Sequence, residues 1–153
     1  MTETTTDQVA QDPEEFYLET FMAREWDGRR IDWFLQKLVS MANDSGLEFG
    51  VTLTVGSGMV TGTLISAEKY FAAFGELFAG GMPGDGSEVE ASFRKLGERG
   101  QEDDQEAARL PPQFIHLKDA KIITASGSVP SRQGVLWRGT IASINGFNLG
   151  SLA

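Results

Sequence analysis

The stretch FGVTLTV-GSG-MVTGTLI, from Phe49 to Ile65, decides the architecture. Phe49, Val51, Leu53 and Val55 alternate with Gly50, Thr52 and Thr54, the period-two pattern of a half-buried strand. Gly56-Ser57-Gly58 supplies a tight turn and Met59–Ile65 a return strand, so the segment predicts a β-hairpin. Upstream the period changes to 3.6. Ile31, Phe34, Leu35, Leu38, Met41 and Ala42 fall on one face of a helix over Ile31–Asn43, with Asp27 as its start signal and Gly46 as its stop. Downstream, Ser66 caps a second helix whose face is Tyr70, Phe71, Phe74, Leu77 and Phe78. Phe114–Ile123 and Gly134–Ile144 read as a third and fourth strand. Asn145-Gly146 reads as a hairpin turn into a short fifth, Phe147–Leu149. The order predicts an α+β fold: a small, strongly bent five-stranded antiparallel sheet or barrel with helices packed on it.

Charge divides the chain into parts. Its 153 residues hold 13 Lys+Arg, 22 Asp+Glu, one His and no Cys, for a net charge of -9. Residues 1–20 contain six acids and no base, and residues 81–113 contain eight acids and four bases. The last forty residues carry Lys118, Lys121, Arg132 and Arg138 against Asp119 alone. The domain organisation expected is an acidic, largely disordered tail over 1–25 and a single domain over 26–152. A flexible, acidic, Gly-rich insertion at about 80–112 interrupts that domain, with a short helix around Ser87–Leu96.

The same counts exclude several chemistries. Without cysteine there is no disulfide framework, thiolate nucleophile or Cys-ligated metal site. With one histidine there is no His-based metal cluster, and no Gly-x-Ser-x-Gly elbow supports a triad through His116. Gly56-Ser57-Gly58 lacks the Lys of a phosphate-binding loop, and the acids of Gln101–Glu106 lack the order of an EF-hand. The expectation is no enzyme, no cofactor and no metal. No apolar run has the length of a membrane span, and Met1–Thr20 has neither a basic nor an apolar leader region, which predicts a soluble intracellular protein. The negative charge disfavours nucleic acid as a partner.

The basic C-terminal block is the candidate contact surface. Alternation puts His116 and Lys118 on the strand face of Phe114, while Trp137-Arg138-Gly139 sets an aromatic and a guanidinium beside a residue without a side chain. His116, Lys118, Trp137, Arg138 and Phe147 are the interaction residues this predicts, since Trp and Arg are favoured at interface hot spots. A packed core position for Trp137 and a structural hydrogen-bonding role for Arg138 compete with that reading.

Three longer segments carry a resemblance. They are VTGTLISAEKYF at Val60–Phe71, FIHLKDAKI at Phe114–Ile122 and WRGTIASINGFNLG at Trp137–Gly150. Together they resemble the gas vesicle accessory protein U family over about residues 30–80 and 113–152. The resemblance implies a non-enzymatic cytoplasmic protein that associates with the vesicle shell or shell-associated proteins and influences vesicle clustering or assembly. It also implies vesicle proteins as partners, with no catalytic residue to carry over. A second similarity is to the Sm-like small barrel, through Gly62–Leu64, Leu117-Lys118-Asp119 and Arg138-Gly139. Glu68 stands where that fold's first motif has Asp, the Asn after it is missing, and a helix and the insertion interrupt the strands. The alternative function this suggests, a nucleic-acid-binding module, is weakened by those departures. Exposed sheet edges and the opposition of acidic tail and basic block also predict a homo-oligomer.

Overall fold

A computed structural model describes residues 12–28, 30–98 and 110–152. Contacts divide the chain into two compact units, Met1–Trp33 and Phe34–Ala153. The acidic run Gln101–Glu106 and residues 1–11 of the expected tail lie outside the described residues.

Among the described residues, the first unit contains the helix α1 (Pro13–Asp27). The sequence reading placed the end of a disordered tail here, because the composition of residues 1–25 as a whole is polar and acidic. Local signals set the helix instead. Asp12 Oδ1 accepts a hydrogen bond from the Glu14 amide, Pro13 occupies the first turn, and Glu14 and Glu15 complement the positive end of the helix dipole.

The second unit is α+β, as the hairpin segment predicts. After α2 (Trp33–Ser45) come the hairpin strands β1 (Phe49–Val55) and β2 (Gly58–Ile65), paired in register from Phe49 opposite Leu64 to Val55 opposite Gly58. Helix α3 (Ala67–Gly80) starts where Ser66 Oγ accepts from the Lys69 amide, the predicted cap. Helix α4 (Ser87–Glu98) follows, then β3 (Phe114–Thr124), β4 (Gly127–Val129), β5 (Val135–Thr140), a 3-10 turn at Ile141–Ser143 and β6 (Ile144–Leu149).

Helix α4 fills part of the stretch read as an insertion. It packs on α3 through Phe93, whose ring lies 5.1 Å from that of Phe74 and 5.4 Å from that of Phe78. Glycine permits the close approach: a Cβ at Gly97 would sit 2.7 Å from the Glu68 Cα, and one at Gly75 3.0 Å from the Phe93 Cβ.

The sheet order is β4-β3-β2-β1-β6, with β5 also pairing β3, and every pairing is antiparallel. Among the described residues it has six strands rather than five, because three-residue β4 is too short to show a period. It is an open sheet and not a closed barrel, since no ladder joins β5 to β6. The predicted Asn145-Gly146 hairpin is also replaced. Both residues lie within β6, and a 3-10 turn rather than a hairpin leads from β5 into it, where Thr140 Oγ1 donates to Ser143 Oγ and Ser143 Oγ donates to the Thr140 carbonyl. The Asn145 side chain instead accepts from the Gly56 amide at 2.8 Å and ties β6 to the β1–β2 turn. Tertiary pairing with β1 has overridden the local turn preference.

Leu35, Val39, Val51, Leu53, Leu64, Ile115, Leu117 and Ile141 form the buried core. The buried polar pair Thr52 and Thr61 is fully engaged. The two hydroxyls lie 3.1 Å apart, Thr52 donates to the Gly150 carbonyl, and Thr61 accepts from the Leu152 amide at 2.7 Å.

Strand β3 is bent by a bulge at Asp119, where φ is 51° and the register shifts against both β2 and β5. Gly62 and Gly134 face the bulge, and a Cβ on Gly134 would collide with the Asp119 backbone. We therefore expect Gly134→Ala to destabilise the protein by about 2–3 kcal/mol in urea unfolding, because backbone must move to make room. Gly146→Ala, where no heavy atom lies within 4 Å of the new Cβ, changes the midpoint little.

Candidate functional site

The one histidine is the centre of the most connected side-chain cluster. His116 lies on β3 opposite Ile65 of β2 and Arg138 of β5, and only 4% of its surface is exposed. Its neighbours Ile115 and Leu117 point to the other face and are fully buried, so this part of β3 is covered on both sides. Helix α3 provides the cover over His116. The Tyr70 ring centroid is 4.6 Å from the imidazole and that of Phe71 is 5.9 Å away.

Arg138 joins the cluster from the next strand. Its Nε donates to His116 Nε2 at 3.2 Å, and its guanidinium lies 3.5 Å from the centre of the Phe114 ring. A guanidinium stacked on an aromatic face gains cation–π attraction while its outer edge stays in water. Because Arg138 can only donate, His116 Nε2 must be the acceptor, and the proton of the neutral ring sits on Nδ1. That buried Nδ1 has no hydrogen-bond partner among the described residues.

Electrostatics follow from this packing. Burial, with the Arg138 charge adding to it, pushes the His116 pKa down from 6.5 to about 4. The imidazole is therefore neutral near pH 7, a fixed acceptor for Arg138 rather than a proton carrier. Burial raises the Tyr70 hydroxyl above its ordinary value, with Arg138 opposing in part.

Lys118 lies two residues along β3 but belongs to a different network. Its ammonium pairs with Glu48, whose second carboxylate oxygen accepts from Lys69 Nζ at 2.8 Å, and Lys69 also donates to the Gly46 carbonyl. Hydrogen bonds from Lys118 first and Lys69 second hold the Glu48 carboxyl below its usual range. The network clamps the turn before β1 to α3 and β3. Sequence reasoning missed Glu48, which is 70 residues from Lys118, and no local pattern could have linked them.

The other two predicted residues sit apart. Trp137 pairs opposite Leu117, half-buried, and its ring covers Gly139, where any Cβ would strike the indole. The bare position in the strand is thus a seat for Trp137. Phe147 is on β6, at the other end of the pairing order, against Phe34 of α2 at 5.9 Å. Of the five residues, the structure brings His116 and Arg138 into contact, with Phe114, Tyr70 and Phe71 around them.

Beside this cluster, one turn further along α3, lies an open groove of about 850 Å3. Ala73 and Leu77 of α3 form one wall and Lys118, Val135 and Leu136 the other. Leu77 and Val135 are 68% and 51% exposed, so Leu77, read from the sequence as part of the apolar face of α3, is not covered. Among the described residues no group of three His, Cys, Asp or Glu is placed to hold a metal, and no helix is long and apolar enough to cross a membrane.

The His116 cluster makes stability depend on pH with a definite sign. The unfolded chain binds a proton near pH 6.5 and the folded chain only near 4, so stability is complete above the first value and falls as the pH drops between them. The full loss corresponds to roughly 3 kcal/mol. Between pH 6.5 and 4, the native chain should lose about that much more stability in urea unfolding than His116→Gln does. An imidazole titration by NMR with a midpoint near the ordinary value would contradict the assignment.

No curated protein and no solved structure matches the chain. Comparison with protein families does give a match, to the family described as gas vesicle protein GvpU-like, over residues 32–152. The matched span takes in all of β1 to β6, α3, α4 and the His116–Arg138 cluster. The expected family resemblance therefore holds across the sheet and the helices packed on it: this chain belongs to the gas vesicle protein GvpU-like family.

Proposed function

We propose that this protein is a non-enzymatic accessory of gas vesicles. In this reading it binds the vesicle shell, or proteins attached to it, and promotes vesicle clustering or assembly by self-association in the cytoplasm. The family match over residues 32–152 is the observation that carries the reading. The surface best suited to a protein partner is the groove between α3 and β5, where Leu77 and Val135 stand exposed beside Lys118. Exposed apolar side chains gathered at a concave surface are typical of protein docking sites.

The chemistry of the cluster supports the non-enzymatic reading. A histidine held neutral under two aromatic rings and used as a hydrogen-bond acceptor is unsuited to proton transfer near pH 7. Arg138, the cation that suggested nucleic-acid binding, is stacked on Phe114 and bonded to His116. With a net charge of -9 on the chain as a whole, a phosphate backbone gains little here.

Co-sedimentation with purified vesicles tests the reading. The native chain should pellet with vesicles, and Leu77→Asp combined with Val135→Asp should reduce the bound fraction at least about ten-fold, since two charges would enter a desolvated contact. Both positions are exposed, so thermal unfolding should be unchanged. No pelleting of the native chain at any salt concentration would overturn the proposal.

A further inference from the structure

Helix α1 is the least satisfied element in the first unit. None of its residues is buried, and Tyr17, Leu18 and Phe21 are 72%, 62% and 50% exposed. A 15-residue helix in water is marginal on its own, and contiguous exposed apolar side chains usually mark a contact surface.

The stripe formed by these residues has an order. Helical spacing aligns Glu14, Tyr17, Leu18, Phe21 and Arg24 on one side of α1. Glu14 stands at one end and Arg24 at the other, where the Glu25 carboxylate is taken up by the Trp33 indole, and apolar side chains lie between. Trp33 completes the surface. Gly28 lets the chain approach it closely, the indole Nε1 donates to Glu25 Oε1 at 2.8 Å, and Phe21 meets the indole edge-on at 6.2 Å. The Arg24 guanidinium lies 5.9 Å from the indole centre. The result is an apolar cleft of about 540 Å3 whose walls are already held in place.

Such a stripe is complementary to itself when reversed. In an antiparallel pair centred between Leu18 and Thr20, Glu14 of each copy meets Arg24 of the other, and Tyr17 meets Phe21. A two-fold axis makes every such contact twice. We propose that α1 is a dimerisation element, and that its occupant is the same helix of a second copy of this chain. The inference rests on the self-association part of the function proposed above and requires no vesicle. Charge order selects the antiparallel arrangement, because a parallel pair would set Glu14 against Glu14 and Arg24 against Arg24.

Charge exchange tests this on the full chain by sedimentation velocity at low salt. The native protein should show a concentration-dependent dimer, and added salt should narrow its lead over charge-reversed variants. Glu14→Arg alone and Arg24→Glu alone should each weaken it roughly ten-fold, since each places like charges at both ends of the pair. An equimolar mixture of the two variants should recover association, as a heterodimer in which both end contacts are again opposite in charge. Glu15→Arg changes the same helix turn outside the stripe, and should leave the dimer in place. A native chain that stays monomeric overturns the proposal. So does a mixture that fails to recover association, which would place α1 on some other surface of the second copy. Vesicle pelleting measured in parallel separates the two claims. Loss of pelleting in Tyr17→Ser with Phe21→Ser, from a native chain that is monomeric, assigns α1 to a vesicle protein and removes the dimer.

Discussion

At Asp119 the chain takes a positive φ of 51° in the middle of its longest strand, and two glycines, Gly62 and Gly134, make room for it. The extra residue bends β3 and interrupts its ladders on both edges. Up to the bulge and one pair beyond it, at Ala120, β3 pairs with β5, and from Ile122 onward it pairs with β4. One strand thereby holds two partners along a single edge, which a straight strand with unbroken register could not do as readily. The half that pairs with β5 is the half that carries Phe114 and His116. The bend therefore sets the stacking of Arg138 on Phe114 and its bond to the imidazole.

Helix α3 depends on the same strand. Its first turn contributes Lys69 to the clamp on Glu48, its second covers His116 with Tyr70 and Phe71, and its last packs Phe78 against Phe93 of α4. The stacked series Tyr70, Phe74 and Phe78 continues the aromatic contact from the sheet to the helical pair. Because α4 approaches through Gly75 and Gly97, the two helices lie close enough for ring-to-ring contact without disturbing the face turned to β3. The groove beside Leu77 is the part of α3 that neither α4 nor β3 covers.

The polar groups are mostly structural in this arrangement. His116, Arg138, Lys118, Thr52 and Thr61 each make a side-chain hydrogen bond within the chain, although the His116 Nδ1 proton is left without a partner among the described residues. The surface left for partners is apolar and aromatic. Neutral contact surfaces bind by shape and desolvation, while fixed charges select partner and orientation.

Much of the fold was legible because it is local. The alternation over Phe49–Ile65 determined the hairpin, the 3.6-residue spacings determined α2 and α3, and Ser66 determined where α3 begins. Three long segments sufficed to indicate the family. The cases that sequence misread are those in which distant residues compete with local preference. Asn145-Gly146 has the composition of a turn, yet pairing with β1 and the bond to Gly56 are worth more than the turn it would make. Segment composition concealed α1, whose cap and apolar spacing occupy only a few positions in an acidic stretch. The candidate site shows the same boundary. Alternation could place His116 and Lys118 on one face, but only the register of β3 against β5 gave His116 to Arg138, and only the return of the chain at Glu48 took Lys118 away. Sequence by itself determined which segments become strands and helices, because those choices are made by neighbours along the chain. Tertiary structure decided which charges are paired, which ring covers the histidine and which edges stay open, because those depend on residues brought together from 20 to 70 positions apart.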